Sequence, residues 1–291
     1  FQHFTILGGG KTAVDAIVWL LDNGASPDAI TWVCPRDSWF MNRETTQPGL
    51  AFFEKTVGGF AANVEAMRDA TSVEDLFARM EAAGTMLRVD PAITPTMFHY
   101  ATISNGELAQ LQRLSHIIRG QRVARLEASQ MVMTDGETVA SIAGMLYIDC
   151  TARAVDFIDE SMKPVFEPGL ITLQAIFAPL VTYSAAVIAY VEANFETDEE
   201  KNELCKPVPL ADTPAEWLPS TLGNMTNSFT WSQNKAMSKW TNSCRLNPNF
   251  AAIREGAGQD AAHKAILRRI RNNTIPAVMN AHRLMEELSA P

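Results

Sequence analysis

A chain of 291 residues, 47% apolar and 20% charged, is long enough to bury a full core in one large domain or two moderate ones. Its net charge of −9 and pI near 5.1 argue against a nucleic-acid partner, which needs a broad basic face, but leave room for a small local basic pocket. The four cysteines, Cys34, Cys150, Cys205 and Cys244, include no C-x-x-C pair, which disfavours a zinc site or redox pair and suggests reduced thiols in a cytoplasmic setting.

Residues 4–7 are an apolar run that predicts a buried strand, and Gly8, Gly9 and Gly10 form the turn after it. Residues 11–22 carry Val14, Ile17, Val18 and Leu21 at helical spacing, and Asn23-Gly24 ends the helix. Residues 29–33 predict a second strand, stopped by Pro35. This is a strand–helix–strand unit of the length a parallel crossover needs. Phe1 stands almost directly before a strand and is not Met, so further sequence is expected upstream.

The middle reads as largely helical. Residues 52–70 and 72–83 have helical periodicity, with Glu74 and Asp75 in a first turn and Gly84 as a stop. Pro91 and Pro95 bracket a loop leading to Met97-Phe98-His99-Tyr100, and Ser104 to Glu107 form a capping box. Residues 122–127, 130–134 and 138–142 then predict short strands, with Asp135-Gly136 as a hairpin turn, and 145–149 a stronger one. Irregular sequence follows. Residues 169–191 are uncharged and long enough to span a bilayer, but Thr172, Gln174, Pro179, Thr182 and Ser184 favour a buried strand and helix and no membrane association. Residues 206–220 are proline-rich and predict a surface loop, and the tail at 260–288 is helical, kinked or divided at Pro276.

Gly8-x-Gly10-x-x-Ala13 fits the G-x-G-x-x-A form of the dinucleotide fingerprint. Gly8 permits the tight turn, Gly10 lets backbone approach a pyrophosphate, and Ala13 lets the helix pack close to the sheet. The helix N-terminus offers free N–H groups to the phosphates, and Thr12 adds a hydroxyl. The expected cofactor-binding set is therefore Gly8, Gly9, Gly10, Lys11, Thr12 and Ala13. The competing reading is a glycine turn in an ordinary α/β protein. An acid at the second strand's end would hold the ribose 2′-hydroxyl of NAD, and an arginine the 2′-phosphate of NADP. Here the strand ends without an acid and Arg36 follows, which favours NADP(H), although Asp37 is adjacent. Arg43 is a second candidate for the phosphate.

The stretch GGGKTAVDAIVWLLDNGASPDAITWVCPRDSWFMNR resembles the NAD(P)-binding half of flavin-dependent pyridine-nucleotide oxidoreductases, in a group related to flavin-containing monooxygenases. The resemblance continues through PTMFHYATIS, LYIDCTA, ITLQ and SAAVIAYVEANFETDEEKNELCKPVP, and fades after about residue 245. It implies an α/β chain: a Rossmann-like domain at 1–149 with a helical insertion at about 50–113, then the C-terminal part of an FAD-type domain and a helical tail at 150–291. It implies that Asp149 and Thr151 lie near the return to the FAD domain, and that Ser184, at a helix N-terminus, lies beside the flavin.

In such proteins an FAD fingerprint precedes the NAD(P) domain, and this chain has none. The FAD-binding half is thus expected from a missing N-terminal part or a separate chain. The resemblance implies an oxidoreductase using NADP(H) and FAD on a small-molecule substrate, a monooxygenase being one form of it; homo-oligomerisation stays open. The alternative is a non-redox protein on the same scaffold, a binding subunit or a cyclase-like enzyme. His99 is the candidate catalytic residue. Trp231 and Trp240 are candidates for an aromatic pocket or for packing, and Asp15 for anchoring the first helix.

Overall fold

The computed structural model describes residues 1–152 and 162–289, so the irregular stretch after Ala152 lies largely outside the described residues. The chain is mixed α/β with a parallel sheet. It forms two compact units: Phe1–Arg43 with Met86–Asp156, and Glu44–Thr85 with Phe157–Pro291.

The first unit opens with β1 (His3–Leu7), α1 (Lys11–Asp22), β2 (Ile30–Cys34) and β3 (Ser38–Asn42). After α2 (Phe53–Asp69) and α3 (Val73–Ala82), which belong to the second unit, it resumes as β4 (Met86–Leu87), β5 (Met97–Ile103) and α4 (Asn105–Leu111). It closes with β6 (His116–Arg119), β7 (Val123–Leu126), β8 (Gln130–Met133), β9 (Thr138–Ala140) and β10 (Met145–Asp149). The parallel sheet has the order β10-β1-β2-β6, with Leu7 opposite Asp149 and Cys34 opposite Arg119.

On one face of this sheet Ile6, Trp32 and Cys34 pack with Ala13, Val14, Ile17 and Leu21 of α1. On the other, Leu7 and Val33 pack with Met131 and Met133 of β8, in the antiparallel meander β7-β8-β9. Strands covered on both faces read as unbroken apolar runs, which is why β1 and β2 show no alternation. Each fully buried aliphatic side chain here stabilises the unit by roughly 1.5–3 kcal/mol.

The loop bracketed by Pro91 and Pro95 is present and leads into β5, so His99, expected in a Pro-flanked loop, lies on a strand. Pro35 stops β2, but the chain resumes as β3, whose Trp39 and Phe40 are buried. β5 pairs with β3 in parallel across some sixty residues of sequence. His99 therefore lies on a strand, at a bulge: Trp39 pairs with Phe98 and Met41 with Thr102, and Tyr100 takes a φ of +56°. The expected capping box is present, with Ser104 Oγ accepting from the Glu107 N–H and Glu107 from the Ser104 N–H.

In the second unit, β11 (Phe166–Glu167) and β12 (Leu170–Ile171) form a small hairpin. Helices α5 (Val181–Asn194), α6 (Asp198–Leu204), α7 (Trp217–Gln233), α8 (Lys235–Ser243), α9 (Phe250–Arg254) and α10 (Ala261–Ser289) follow. Among the described residues no helix is long and apolar enough to cross a membrane. Helix α10 runs unbroken through Pro276 rather than being divided there. It lies along α2 in the same direction: His263 meets Phe53 at 4.2 Å between rings, Arg269 pairs with Glu65 at 2.7 Å, and Asn280 donates to the Met67 and Ala70 carbonyls at 2.8 Å.

The proline-rich stretch before α7 is not a surface loop throughout. Val208 and Ala211 are buried, and the Val208 N–H donates to the Ala175 carbonyl at 2.7 Å. Asn224 and Asn227 of α7 reach back to the backbone of Ala178, Ile176 and Lys206. Those asparagines satisfy backbone groups that burial would otherwise leave unpaired.

Candidate functional site

The glycine turn leaves β1 and is tied to β2 at both of its polar groups. The Gly8 N–H donates to the Val33 carbonyl at 2.9 Å, and the Gly8 carbonyl accepts from the buried Trp32 indole N–H at 2.7 Å. Gly8 has a φ of +121°, and a Cβ on it would stand 2.6 Å from the Cys150 carbonyl oxygen. A Cβ on Gly9 would stand 2.5 Å from the Arg36 carbonyl oxygen. The protein's own packing requires glycine at both positions.

Gly10 differs. Its φ of −90° and ψ of −176° suit any residue, and a Cβ there would meet nothing within 4 Å. Gly10 is the N-cap of α1, has no side chain to cap it, and no acid occupies the first turn. The Val14 N–H closes the first helical bond, onto the Gly10 carbonyl, at 3.2 Å. The N–H groups of Lys11, Thr12 and Ala13 thus point out of the helix end without an intrahelical acceptor. Ala13 is fully buried against the sheet, and Thr12 is exposed.

The end of β10 stands beside this turn. The Cys150 N–H donates to the Leu7 carbonyl at 2.8 Å. The Asp149 carboxylate accepts from the Thr151 hydroxyl at 2.6 Å and the Thr151 N–H at 2.9 Å, bonds that hold its pKa below the usual range. The structure therefore brings together Gly8 to Ala13, Arg36, Asp149 and Thr151 along the carboxyl ends of β1, β2 and β10. Ligands of open parallel sheets bind at such an edge, where neighbouring connections leave in opposite directions.

Charges around the turn are paired. Lys11 Nζ meets Glu107 at 3.4 Å and also pairs with Asp15 one turn along α1. Arg43 follows β3 rather than β2 and is paired: its Nη2 donates to both Glu107 oxygens, at 3.2 and 3.1 Å, and to the Thr102 carbonyl at 3.2 Å. Burial alone would raise the Glu107 pKa, but the Ser104 amide and hydroxyl, Arg43 and Lys11 outweigh it and bring it to about 2. At the end of β2, Cys34 is pushed up to about 12, by burial first and the Asp37 charge second, with Arg119 opposing, so its thiol stays neutral. The Asp37 carboxylate is held by Arg119 Nε at 3.2 and 3.1 Å.

The remaining candidates belong to other elements. His99 sits half-buried at the β5 bulge. Ser184 belongs to the second unit, is 1% exposed, and accepts from the Ile176 and Phe177 N–H groups at 3.2 and 3.1 Å, so its hydroxyl is occupied by backbone. Trp231 donates to the Leu204 carbonyl at 2.7 Å and packs on Phe177 and Tyr183, while Trp240 stacks on Tyr190 at 4.5 Å between rings. Both tryptophans are engaged in packing. Among the described residues no group of three or more His, Cys, Asp or Glu side chains is placed to hold a metal.

Sequence reasoning missed Trp32, Glu107 and Arg119 as parts of this site. Glu107 carried a local signal, as the acid of a capping box, but its link to Arg43 and Lys11 is long-range. Arg119 ends the run His-Ile-Ile-Arg before Gly120, a four-residue edge strand too short to show a period.

The chain is 41% identical over 246 residues to two uncharacterized proteins, Rv2000 of Mycobacterium tuberculosis and Mb2023 of Mycobacterium bovis. The match covers 84% of this chain and 45% of each relative, so the chain spans about half the length of the curated relatives it matches. No family model matches the chain, and no solved structure does.

Proposed function

We propose that the first unit is a Rossmann-like NADP(H)-binding domain and that it serves a flavin-dependent oxidoreductase of the kind its sequence resembles, acting on a small molecule. The observation that carries this reading is Gly10. Two glycines of the turn are explained by the protein's own backbone, and the third is not: Gly10, the N-cap of α1, has an ordinary backbone and a Cβ there would meet nothing within 4 Å. A pyrophosphate there would accept from the Lys11, Thr12 and Ala13 N–H groups at the positive end of the helix, with the Thr12 hydroxyl beside it. Arg36, which follows β2, would take the 2′-phosphate.

The bound nicotinamide supplies hydride; the chain's residues bind and orient it. Trp32 fixes the turn by holding the Gly8 carbonyl, and Ala13 sets the approach of the helix to the sheet. The single glycine fingerprint is used in this way, so we place the flavin-binding half in a segment or chain outside this one.

Titration of the chain with NADPH and NADH tests the reading. NADPH is expected to bind more tightly, and Arg36→Ala to weaken NADPH on the order of tenfold or more while leaving NADH within about twofold, since one charged contact is lost. Failure of the chain to bind either nucleotide would overturn the nicotinamide site. Unchanged NADPH affinity in the Arg36→Ala variant would remove that residue from it.

A further inference from the structure

Asp37 directly follows the arginine assigned to the 2′-phosphate, and an acid there should repel that phosphate. Its carboxylate is only 12% exposed and faces Arg119, whose Nε reaches both oxygens at 3.2 and 3.1 Å. The Asp37 carbonyl accepts the Thr96 and Met97 N–H groups at 3.1 and 3.2 Å, which fixes the residue from its backbone side. Arg119 comes from the end of β6, the strand next to β2, where it stands opposite Cys34. Its Nη2 reaches Asp90 at 3.4 Å.

We infer that Arg119 is a specificity-determining residue that acts through Asp37: it turns the Asp37 carboxylate away from a bound ribose and cancels its charge, so that Arg36 can receive a 2′-phosphate. This rests on reading the glycine turn as an NADP(H) site. The ion pairs carry the argument. Arg119 pairs with Asp37 through Nε and with Asp90 through Nη2. Without it both carboxylates lose that guanidinium, and the one next in sequence to Arg36 is released to oppose a 2′-phosphate or to accept the 2′-hydroxyl of NADH. Arg119 thus makes an Arg-Asp sequence behave as an arginine alone. Its side chain is 27% exposed and opens onto a cleft of about 470 Å³, lined also by Asp90, Gln112 and Ser115, so a shorter polar side chain fits without repacking a core.

The test is the ratio of NADPH to NADH affinity in the whole chain and in Arg119→Gln, Asp37→Asn and the double variant, measured by calorimetric titration. Arg119→Gln is expected to lower the ratio on the order of tenfold, the effect of one uncompensated charge near a phosphate. The double variant is expected to restore it, because the liberated acid is gone. A merely structural role would weaken both nucleotides alike and would not be rescued by Asp37→Asn. An unchanged ratio in a folded Arg119→Gln variant would overturn the inference. Should that variant fail to fold, Arg119→Lys serves in its place: it keeps the charge without the fork and is expected to hold the ratio nearer the parent's, and a ratio that collapses fully would count against the proposal. If the parent chain binds neither nucleotide, the functional reading itself has failed, a different outcome from a parent that prefers NADPH and a variant that keeps the preference.

Discussion

Substituting alanine at Gly8 and at Gly10 separates what the turn does for the fold from what it does for a ligand. At Gly8 the new Cβ would stand 2.6 Å from the Cys150 carbonyl oxygen on a backbone with a φ of +121°. The conformational strain alone costs about 1–3 kcal/mol, and relieving the clash moves β10 away from β1, so a total of roughly 3 kcal/mol or more is expected. At Gly10 the Cβ meets nothing within 4 Å and the backbone is ordinary. The loss there is that of a poorer N-cap, about 1 kcal/mol or less. Ligand binding should show the reverse separation. If a pyrophosphate binds at the α1 N-terminus as proposed, a methyl on Gly10 would stand in its approach, so Gly10→Ala is expected to weaken NADPH on the order of tenfold while the fold is nearly unchanged. Urea unfolding followed by circular dichroism measures the first quantity, and calorimetric titration the second. A Gly10→Ala variant that binds NADPH like the parent would refute the argument that the space before α1 belongs to a phosphate.

Two further substitutions probe the surroundings. Glu107 titrates at about 2 in the fold against an ordinary 4.5, so its stabilisation is complete above pH ~4.5 and is lost as the pH falls toward 2; it amounts to about 3 kcal/mol at most. The difference in Tm between the parent and Glu107→Gln should therefore be largest near neutral pH and shrink through that window, and a difference that does not change with pH would show that the charge is not what matters. Trp231→Phe leaves the buried Leu204 carbonyl without its donor at 2.7 Å, and is expected to cost about 1–3 kcal/mol of unfolding free energy while NADPH affinity stays the same; a changed affinity with unchanged stability would revive the aromatic-pocket reading.

Local signals were legible in the sequence where the chain makes its structure from neighbours. The glycine spacing, the apolar face of α1, the Ser104 to Glu107 capping box and the hairpin at Asp135-Gly136 each depend on residues within a few positions. Elements whose partners are distant were harder to see. β3 begins three residues after a proline, and its pairing with β5 joins Ser38 to Met97, so neither strand shows its reason locally. The same holds in the site. Gly8, Gly10 and Ala13 announce themselves by spacing, while Arg119 and Glu107 matter through side chains they meet across the fold. Ser184, which the resemblance puts beside a flavin, has its hydroxyl engaged by two backbone amides, a contact that no local pattern announces.

The most direct measurement is a crystal structure of the chain grown with NADPH. The account expects pyrophosphate oxygens within hydrogen-bond distance of the Lys11, Thr12 and Ala13 N–H groups, and the 2′-phosphate at Arg36 with Asp37 still held by Arg119. A nucleotide bound away from the glycine turn, or crystals that exclude it at saturating concentration, would contradict it.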